Sequence, residues 1–443
     1  MSLKLPSTLW KIATVALLST LSVSADEFVE DGVLSPANEA IRWHLNRTRA
    51  KPEAEADRLN MVNTTSGSNG AYDVAEDTIG ANDFGQGPTQ WVIWQTPQQP
   101  LAPSRLISIA CDNHSLDLSN SGAFAHSSPT GNFYPLGSGP FARQEQEGYE
   151  NEVTGYIENL ITSSLGQFGS YPVEAMTPMG AQDSLFIDSS IADRGHRKTM
   201  LNADAREVGI GYAKKNFEQT HQGFLLKFVE EYYTYDLGKR GSDHYFTGSI
   251  FHDGDANTFY DRGEGLGGIE IRIYQDGVEH DMYDVSSDSG NFAVPLNNLA
   301  EGLAMIVFVN PSASPVTLSI PIDHARIGTI QIPAGEQYLL GTFEQVAGDR
   351  NVGFRDLMPV TRLDIACHTE QVSISFNSMV GLTYIMQTTN DISSDLNWIT
   401  LQTLTADEFR EAITCGGVGT PLVGSAFFRV LVQQSSLPPG GPL

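Results

Sequence analysis

The stretch DGDANTFYDRGE sets oxygen-bearing residues at regular intervals. Asp253, Asp255, Asn257, Phe259, Asp261 and Glu264 take positions 1, 3, 5, 7, 9 and 12 of a twelve-residue loop. Ca²⁺ needs six to eight oxygens, and this spacing supplies them from one short segment, with a backbone carbonyl at position 7 and a two-oxygen carboxylate at position 12. Thr258 stands at position 6, where a helix–loop–helix calcium site has glycine for its sharp turn. The other reading of the same residues is a solvated acidic turn.

Strand-like segments flank the loop: YFTGSIF enters it and GGIEIRIYQDG leaves it. With SSDSGNFAVPL at 286–296, this resembles the calcium loops of SdrD B-type repeats, prealbumin-like β-sandwiches of bacterial surface proteins. That resemblance implies a structural Ca²⁺ at 253–264 that pins its own module and stiffens the junction with the preceding one.

A second set of residues is scattered more widely. GAFAHSSPTG carries His126, GYIENLITSS carries Glu158, RGHRKTMLN carries His196, and REVGIGY reads as a strand. In this order they resemble the CAP superfamily of secreted proteins, in its bacterial SCP-like branch. NRTRAKPEAEADRL at 46–59 and YYTYDLG at 232–238 resemble that family's opening helix and closing strand. The resemblance spans roughly residues 33–240. It implies an α-β-α sandwich with a surface cleft lined by His126, His196 and Glu158. The family's second acid has no clean match here, and Glu174, Asp183 and Asp188 are the candidates.

Two neutral imidazoles and one or two carboxylates can hold Zn²⁺ or another divalent cation with water in the open positions. The same groups can perform general acid–base work. Each histidine by itself can equally be a satisfied structural residue.

Several elements must position these groups. Ser35–Pro36 marks a helix start, a hydroxyl cap followed by proline in the first turn. Lys51–Pro52 breaks that helix and begins a second, short one. Helical spacing is expected over Pro103–Asn120, over 150–166 and over 195–201. Strands are expected at 207–213 and 222–236. Residues 62–100 read as a long polar loop with one apolar patch, WVIWQT. Beyond 241, short alternating runs separated by Gly, Asn, Asp and Pro have β-sandwich texture, and a second such block starts near 358.

The chain has 443 residues with a formal charge of −27. That charge excludes general electrostatic binding of nucleic acid or of anionic membranes, and it attracts divalent cations. At the N-terminus, Lys4 and Lys11 precede the apolar run IATVALLSTLSV, with Val23 and Ala25 at the −3 and −1 positions of a cleavage site. Residues 1–25 thus read as a secretory signal peptide. The expected location is secreted or extracellular, the periplasm included, with no transmembrane anchor in the mature chain. In such an oxidising compartment Cys367 and Cys415 could pair, and the bridge would contribute about 4 kcal/mol in the chain-entropy model. Cys111, in an apolar helical stretch, reads as a buried inert thiol.

The sequence therefore describes a multidomain chain: a signal peptide (1–25), an α-β-α CAP/SCP domain (26–240), a calcium-binding β-sandwich (241–345) and a C-terminal β-rich module (346–443). The two later modules are both all-β and sandwich-like. The leading functional expectation is a cleft protein that binds a divalent metal and a lipid or peptide. The alternatives are a non-catalytic matrix or adhesion protein, and a metal-assisted hydrolase of extracellular polymers.

Overall fold

The computed structural model describes residues 34–63, 72–73, 97–188, 194–275, 278–321, 327–345 and 350–357. In the C-terminal part it describes 364–368, 371–378, 382–389, 398–405, 410–414 and 427–434. The signal peptide, the WVIWQT patch, and Cys415 with its proposed bridge to Cys367 lie outside the described residues. No helix of the described residues is long and apolar enough to cross a membrane.

Helix α1 (Pro36–Ala50) starts where the Ser35 side chain accepts from the Asn38 N–H. Helix α2 (Pro52–Arg58) follows directly. The short strands β1 (Val62–Asn63) and β2 (Tyr72–Asp73) pair with each other, and β3 (Ala102–Pro103) leads into α3 (Arg105–Ser121). Gly122, with φ of 68°, ends α3 in the left-handed conformation that glycine adopts freely. Then come α4 (Pro140–Gln146), β4 (Glu158–Gln167), α5 (Pro178–Ile187), α6 (Gly195–Met200), β5 (Glu207–His221) and β6 (Phe224–Gly238).

The sheet order is β3-β5-β6-β4, with β3 parallel to β5 and the other pairs antiparallel. Alternation along β5 and β6 gives the sheet two covered faces. Ile210, Tyr233 and Tyr235 pack with Ile41 and Leu45 of α1 and with Leu185 and Phe186 of α5. Ala213 and Tyr232 face the other way, onto Leu118 of α3 and Leu160 of β4. Gly209 and Gly211 lie under α3, where a Cβ would overlap the backbone at Ile107 and at Cys111.

Two expectations are corrected here. In the segment expected to be helical over 150–166, no helix forms, and from Glu158 onward it is the edge strand β4. Ile161 and Thr162 are β-branched, and the run pairs with β6 along its whole length, from Glu158 opposite Asp236 to Gln167 opposite Lys227. The strand expected over 207–213 continues to His221. Gln222 and Gly223, both at positive φ, close it into a long hairpin with β6.

The next unit holds β7 (Tyr245–Ser249), β8 (Glu270–Gln275), β9 (Val278–Val285), β10 (Asn291–Pro295), β11 (Gly302–Val309), β12 (Val316–Pro321), β13 (Ile327–Ile332) and β14 (Gln337–Gln345). Its sheets run β14-β11-β8-β9, β7-β10 and β12-β13 around a core that includes Phe246, Ile271, Phe292, Phe308 and Ile320. Phe354 and Leu357 belong to the same core, past the boundary at 345 read from the sequence. Phe354 meets Phe246, Phe292 and Phe308 edge-on, so the core is filled only when the chain returns through 350–357. Farther on, β15 (Asp364–His368), β16 (Gln371–Ser378) and β19 (Arg410–Thr414) form one antiparallel sheet. β17 (Leu382–Thr389), β18 (Ile399–Thr405) and β20 (Phe427–Gln434) form another.

The two larger units meet through buried polar contacts. Arg42 of α1 binds Glu39 bidentately at 2.7 and 2.8 Å and donates to Leu101 O at 2.9 Å and Gly248 O at 2.8 Å. Both side chains are fully buried. Removing one partner of such a pair costs about 3–5 kcal/mol, because the other charge is left uncompensated.

Under α3, the Asp112 carboxylate accepts from the Tyr212 N–H at 3.1 Å. Burial pushes Asp112 up to about 8. The folded chain then holds this proton more tightly than the unfolded chain does. The stabilisation is complete below the usual aspartate range and is lost as pH rises through about 8. Thermal unfolding should therefore fall by about 3–5 °C between pH 5 and pH 9. Asp112→Asn, which keeps the acceptor for Tyr212, should flatten that dependence; an unchanged slope would remove Asp112 as its source.

Candidate functional site: two histidine–carboxylate pairs and an acidic loop

The structure sorts the cleft residues named from the sequence into pairs. His126 Nδ1 lies 2.8 Å from Glu158 Oε1. His196 Nδ1 lies 2.8 Å from Asp188 Oδ1. In each pair the acid is sealed and the imidazole reaches outward: the side chain of Glu158 is 2 % exposed against 62 % for His126, and that of Asp188 is 0 % exposed against 21 % for His196. A carboxylate on Nδ1 fixes ring orientation and leaves Nε2 as the outward nitrogen.

Arg143 of α4 organises the first pair. It donates to His126 O and Ser138 O, each at 2.9 Å, and its other nitrogen binds the second oxygen of Glu158. Both Glu158 oxygens are thus engaged by side chains. Asp236, opposite Glu158 on β6, is fully buried and accepts from Gln144 at 3.1 Å. Burial pushes Glu158 up to about 7 against the opposing pull of Arg143. Burial first and the neighbouring Glu158 next push Asp236 well above the carboxylate range. Burial lowers His126, so its neutral form is favoured.

The second pair is built from two helix ends. Asp188 ends α5 at φ of 54°. Its Oδ2 accepts from the backbone N–H of His196 at 3.0 Å and of Arg197 at 3.2 Å, which satisfies the first turn of α6. Asn159, next to Glu158 on β4, donates to His196 O at 3.1 Å. The two pairs therefore flank the start of edge strand β4. Glu158 serves one sheet face and Asn159 the other.

The remaining candidates for a second acid lie elsewhere. Asp183 pairs with Arg58 of α2, which also holds Glu55 at 2.6 Å. Asp183 lies within α5, whereas Asp188 follows its last residue in the left-handed conformation, so the two carboxyl groups take different partners. Glu174 lies 3.7 Å from Arg262. Arg143 and Asp236 carry no recognisable spacing in the sequence. The buried Cys111 thiol donates to Gly209 O at 3.3 Å, and burial raises it well above its usual range.

Among the described residues, three acidic or imidazole donors converge within 4.8 Å of one another at Asp253, Asp255 and Glu264. The two histidine pairs form no such three-donor group. In the acidic loop, Asn257 Nδ2 donates to Asp255 at 3.0 Å and to Asp261 at 2.6 Å. Backbone N–H groups of Gly254 and Asp261 donate to the two Glu264 oxygens, each at 2.9 Å. Thr258 sits at φ of 71°, a strained value for a β-branched side chain. The Phe259 and Tyr260 side chains join the hydrophobic cluster of Ala40, Trp43 and Phe251. The Arg47 guanidinium lies 4.5 Å from the centre of the Phe259 ring. The loop thus rests on α1 of the first unit.

No curated protein sequence matches the chain. The chain is similar in part to a crystal structure of an extracellular protein containing a SCP domain from Bacillus anthracis str. Ames, at 17 % identity and a TM-score of 0.20. That match covers 32 % of this chain and about a third of the other's length, 35 %. Residues 95–232 match the model of CAP, the cysteine-rich secretory protein family. Helix α1 lies outside the matched residues, whereas His126, Glu158, Asp188 and His196 all lie inside them. Both histidine–carboxylate pairs thus lie within the segment that matches the CAP family model.

Proposed function

We propose that this is an exported protein whose CAP domain, an α-β-α sandwich, presents His126 and His196 to a divalent transition metal. Zn²⁺ is the metal that best suits two imidazoles with water in the remaining positions. The observation that supports this reading is the pairing of both Nδ1 atoms with buried carboxylates, which leaves Nε2 of each ring as its remaining donor. Glu158 and Asp188 act here as orienting groups behind the donors. Export rests on the reading of residues 1–25 as a signal peptide, and a lipid or peptide is the organic ligand class that the CAP likeness implies. The second module, in this reading, is an SdrD B-like sandwich that holds Ca²⁺ at 253–264. The convergence of Asp253, Asp255 and Glu264, on a loop seated against α1, supports it. The C-terminal sheets are a separate β-rich module.

Calorimetry of the full chain with Zn²⁺, in saturating Ca²⁺, tests the histidine site. One Zn²⁺ should bind, and His126→Ala or His196→Ala should abolish binding. Asp188→Asn should weaken it by about 10–100-fold through loss of ring orientation. Binding that survives both histidine substitutions would leave the rings with a structural role, as in a matrix or adhesion protein.

For the loop, Glu264→Gln should lower the melting temperature in Ca²⁺ and leave it unchanged in chelator; an equal loss in both would make the loop only a turn. Thr258→Gly should raise stability by about 1 kcal/mol in either condition by relieving the left-handed strain. A loss instead would show that the threonine side chain holds the loop.

A further inference from the structure

The loop from Ala123 to Gly139 carries His126 and forms no helix or strand of its own. Without a hydrogen-bond ladder, its backbone groups need partners from side chains. Helix α3 supplies them from one side. His114 and Asp117, about one turn apart on that helix, are both fully buried. His114 Nε2 lies 3.0 Å from Ala125 O. A carbonyl can only accept, so Nε2 carries the proton and donates. His114 Nδ1 is buried and meets no hydrogen-bond partner among the described residues, as befits the bare nitrogen of a neutral ring. Asp117 Oδ2 accepts from the Thr130 N–H at 3.2 Å, and Oδ1 accepts from the Thr130 hydroxyl.

Helix α4 supplies the opposite anchor. Arg143 donates to His126 O and to Ser138 O. The Ser128 N–H also donates to Ser138 O, at 2.9 Å, which closes the loop on itself. The carbonyls of Ala125 and His126 belong to the two peptide planes that flank the His126 Cα. His114 holds the first plane and Arg143 the second. With both planes fixed, the Cα–Cβ bond of His126 has one direction, and Glu158 sets the rotation of the ring beyond it.

We propose that His114 and Asp117 are positioning residues that hold the loop before and after His126 and so aim its imidazole. A buried imidazole with one unpartnered nitrogen is a costly way to fill space, and an aliphatic side chain would fill it more cheaply. What the imidazole adds is a donor for Ala125 O. A metal donor must be held to within about 0.5 Å, and a loop without a ladder needs such supports. The consequence for metal binding rests on the reading of His126 as a zinc donor; the aim of the ring does not need the metal.

Two substitutions of His114 separate holding from filling. His114→Gln puts an amide N–H near the place of Nε2, and His114→Leu fills the space without a donor. The first readout is the imidazole ¹⁵N spectrum of the metal-free full chain, labelled at histidine, above the titration range of free histidine. The His126 signals are identified by their loss in His126→Ala. In the wild type and in His114→Gln the proton of His126 sits on Nδ1. In His114→Leu the ring averages over both tautomers as its contact with Glu158 loosens. The second readout is calorimetry with Zn²⁺, in which His114→Leu weakens binding about tenfold and His114→Gln restores most of it. Thr130→Val, at a half-buried loop position, removes the hydroxyl from Asp117 and shifts the His126 signals in the same direction, so it serves where His114→Leu does not fold. Wild-type His126 signals in His114→Leu or in Thr130→Val, with only the melting temperature lowered, would reduce these groups to packing and overturn the proposal. Failure of His114→Gln to restore the His126 signals overturns it equally. A wild type that binds no Zn²⁺ removes the metal reading alone, and the spectrum still decides whether His126 is positioned.

Discussion

The first unit depends on how closely α3 can lie on its sheet. Gly209 and Gly211 of β5 leave no side chain under the helix, and a methyl group at either would collide with the backbone at Ile107 or Cys111. Because the helix lies low, Asp112 reaches the Tyr212 N–H, and Ser115 donates to Thr234 at 2.8 Å. The C-terminal end of α3 then leads, past Gly122, into the loop that carries His126. The interleaved glycines of EVGIGY are thus a packing constraint whose consequence is the placement of an imidazole. Close-packed interiors transmit such constraints because few voids can absorb a shift.

Buried charge does the rest of the positioning. Arg143 ties the backbone of His126 to the carboxylate of Glu158, and Asp188 joins a helix end to the ring of His196. Both acids are sealed, so each hydrogen bond acts in a medium of low polarity, where orientation is held firmly and an unpaired group is costly. At the seam between units the same logic recurs in Glu39 and Arg42. Polar contacts that are expensive to break give a junction with defined geometry. The acidic loop seated on α1 depends on that geometry.

The coarse organisation was legible in the sequence. The Ser35–Pro36 start of α1, the α3 helix, the β5 and β6 strands and the β-rich texture after 241 all follow from local signals: caps, periodicity and turn residues. The failures have physical causes. The run of β4 carries Leu and Ile near helical spacing, and only pairing with β6 makes it a strand. The extension of β5 is polar, so no alternation of apolar residues announces it. Phe354 looks like loop sequence until its ring is seen to complete a core begun more than a hundred residues earlier.

For the candidate sites the division is sharper. The twelve-residue acidic loop is contiguous, so spacing alone named Asp253, Asp255 and Glu264 together, and even the misfit at Thr258 was readable before its backbone angle was known. The histidines are far apart in the chain, and residue order could name His126, Glu158 and His196 only as a family likeness. Nothing local chose Asp188 over Asp183 or Glu174. That choice follows from where α5 ends and α6 begins, and from which helix face meets Arg58. Arg143 and Asp236 lie in segments that meet Glu158 only after folding. Sequence by itself determined the residue types and the local elements; tertiary packing decided which acid meets which imidazole, because hydrogen bonds act over about 3 Å and chain order sets no such distance.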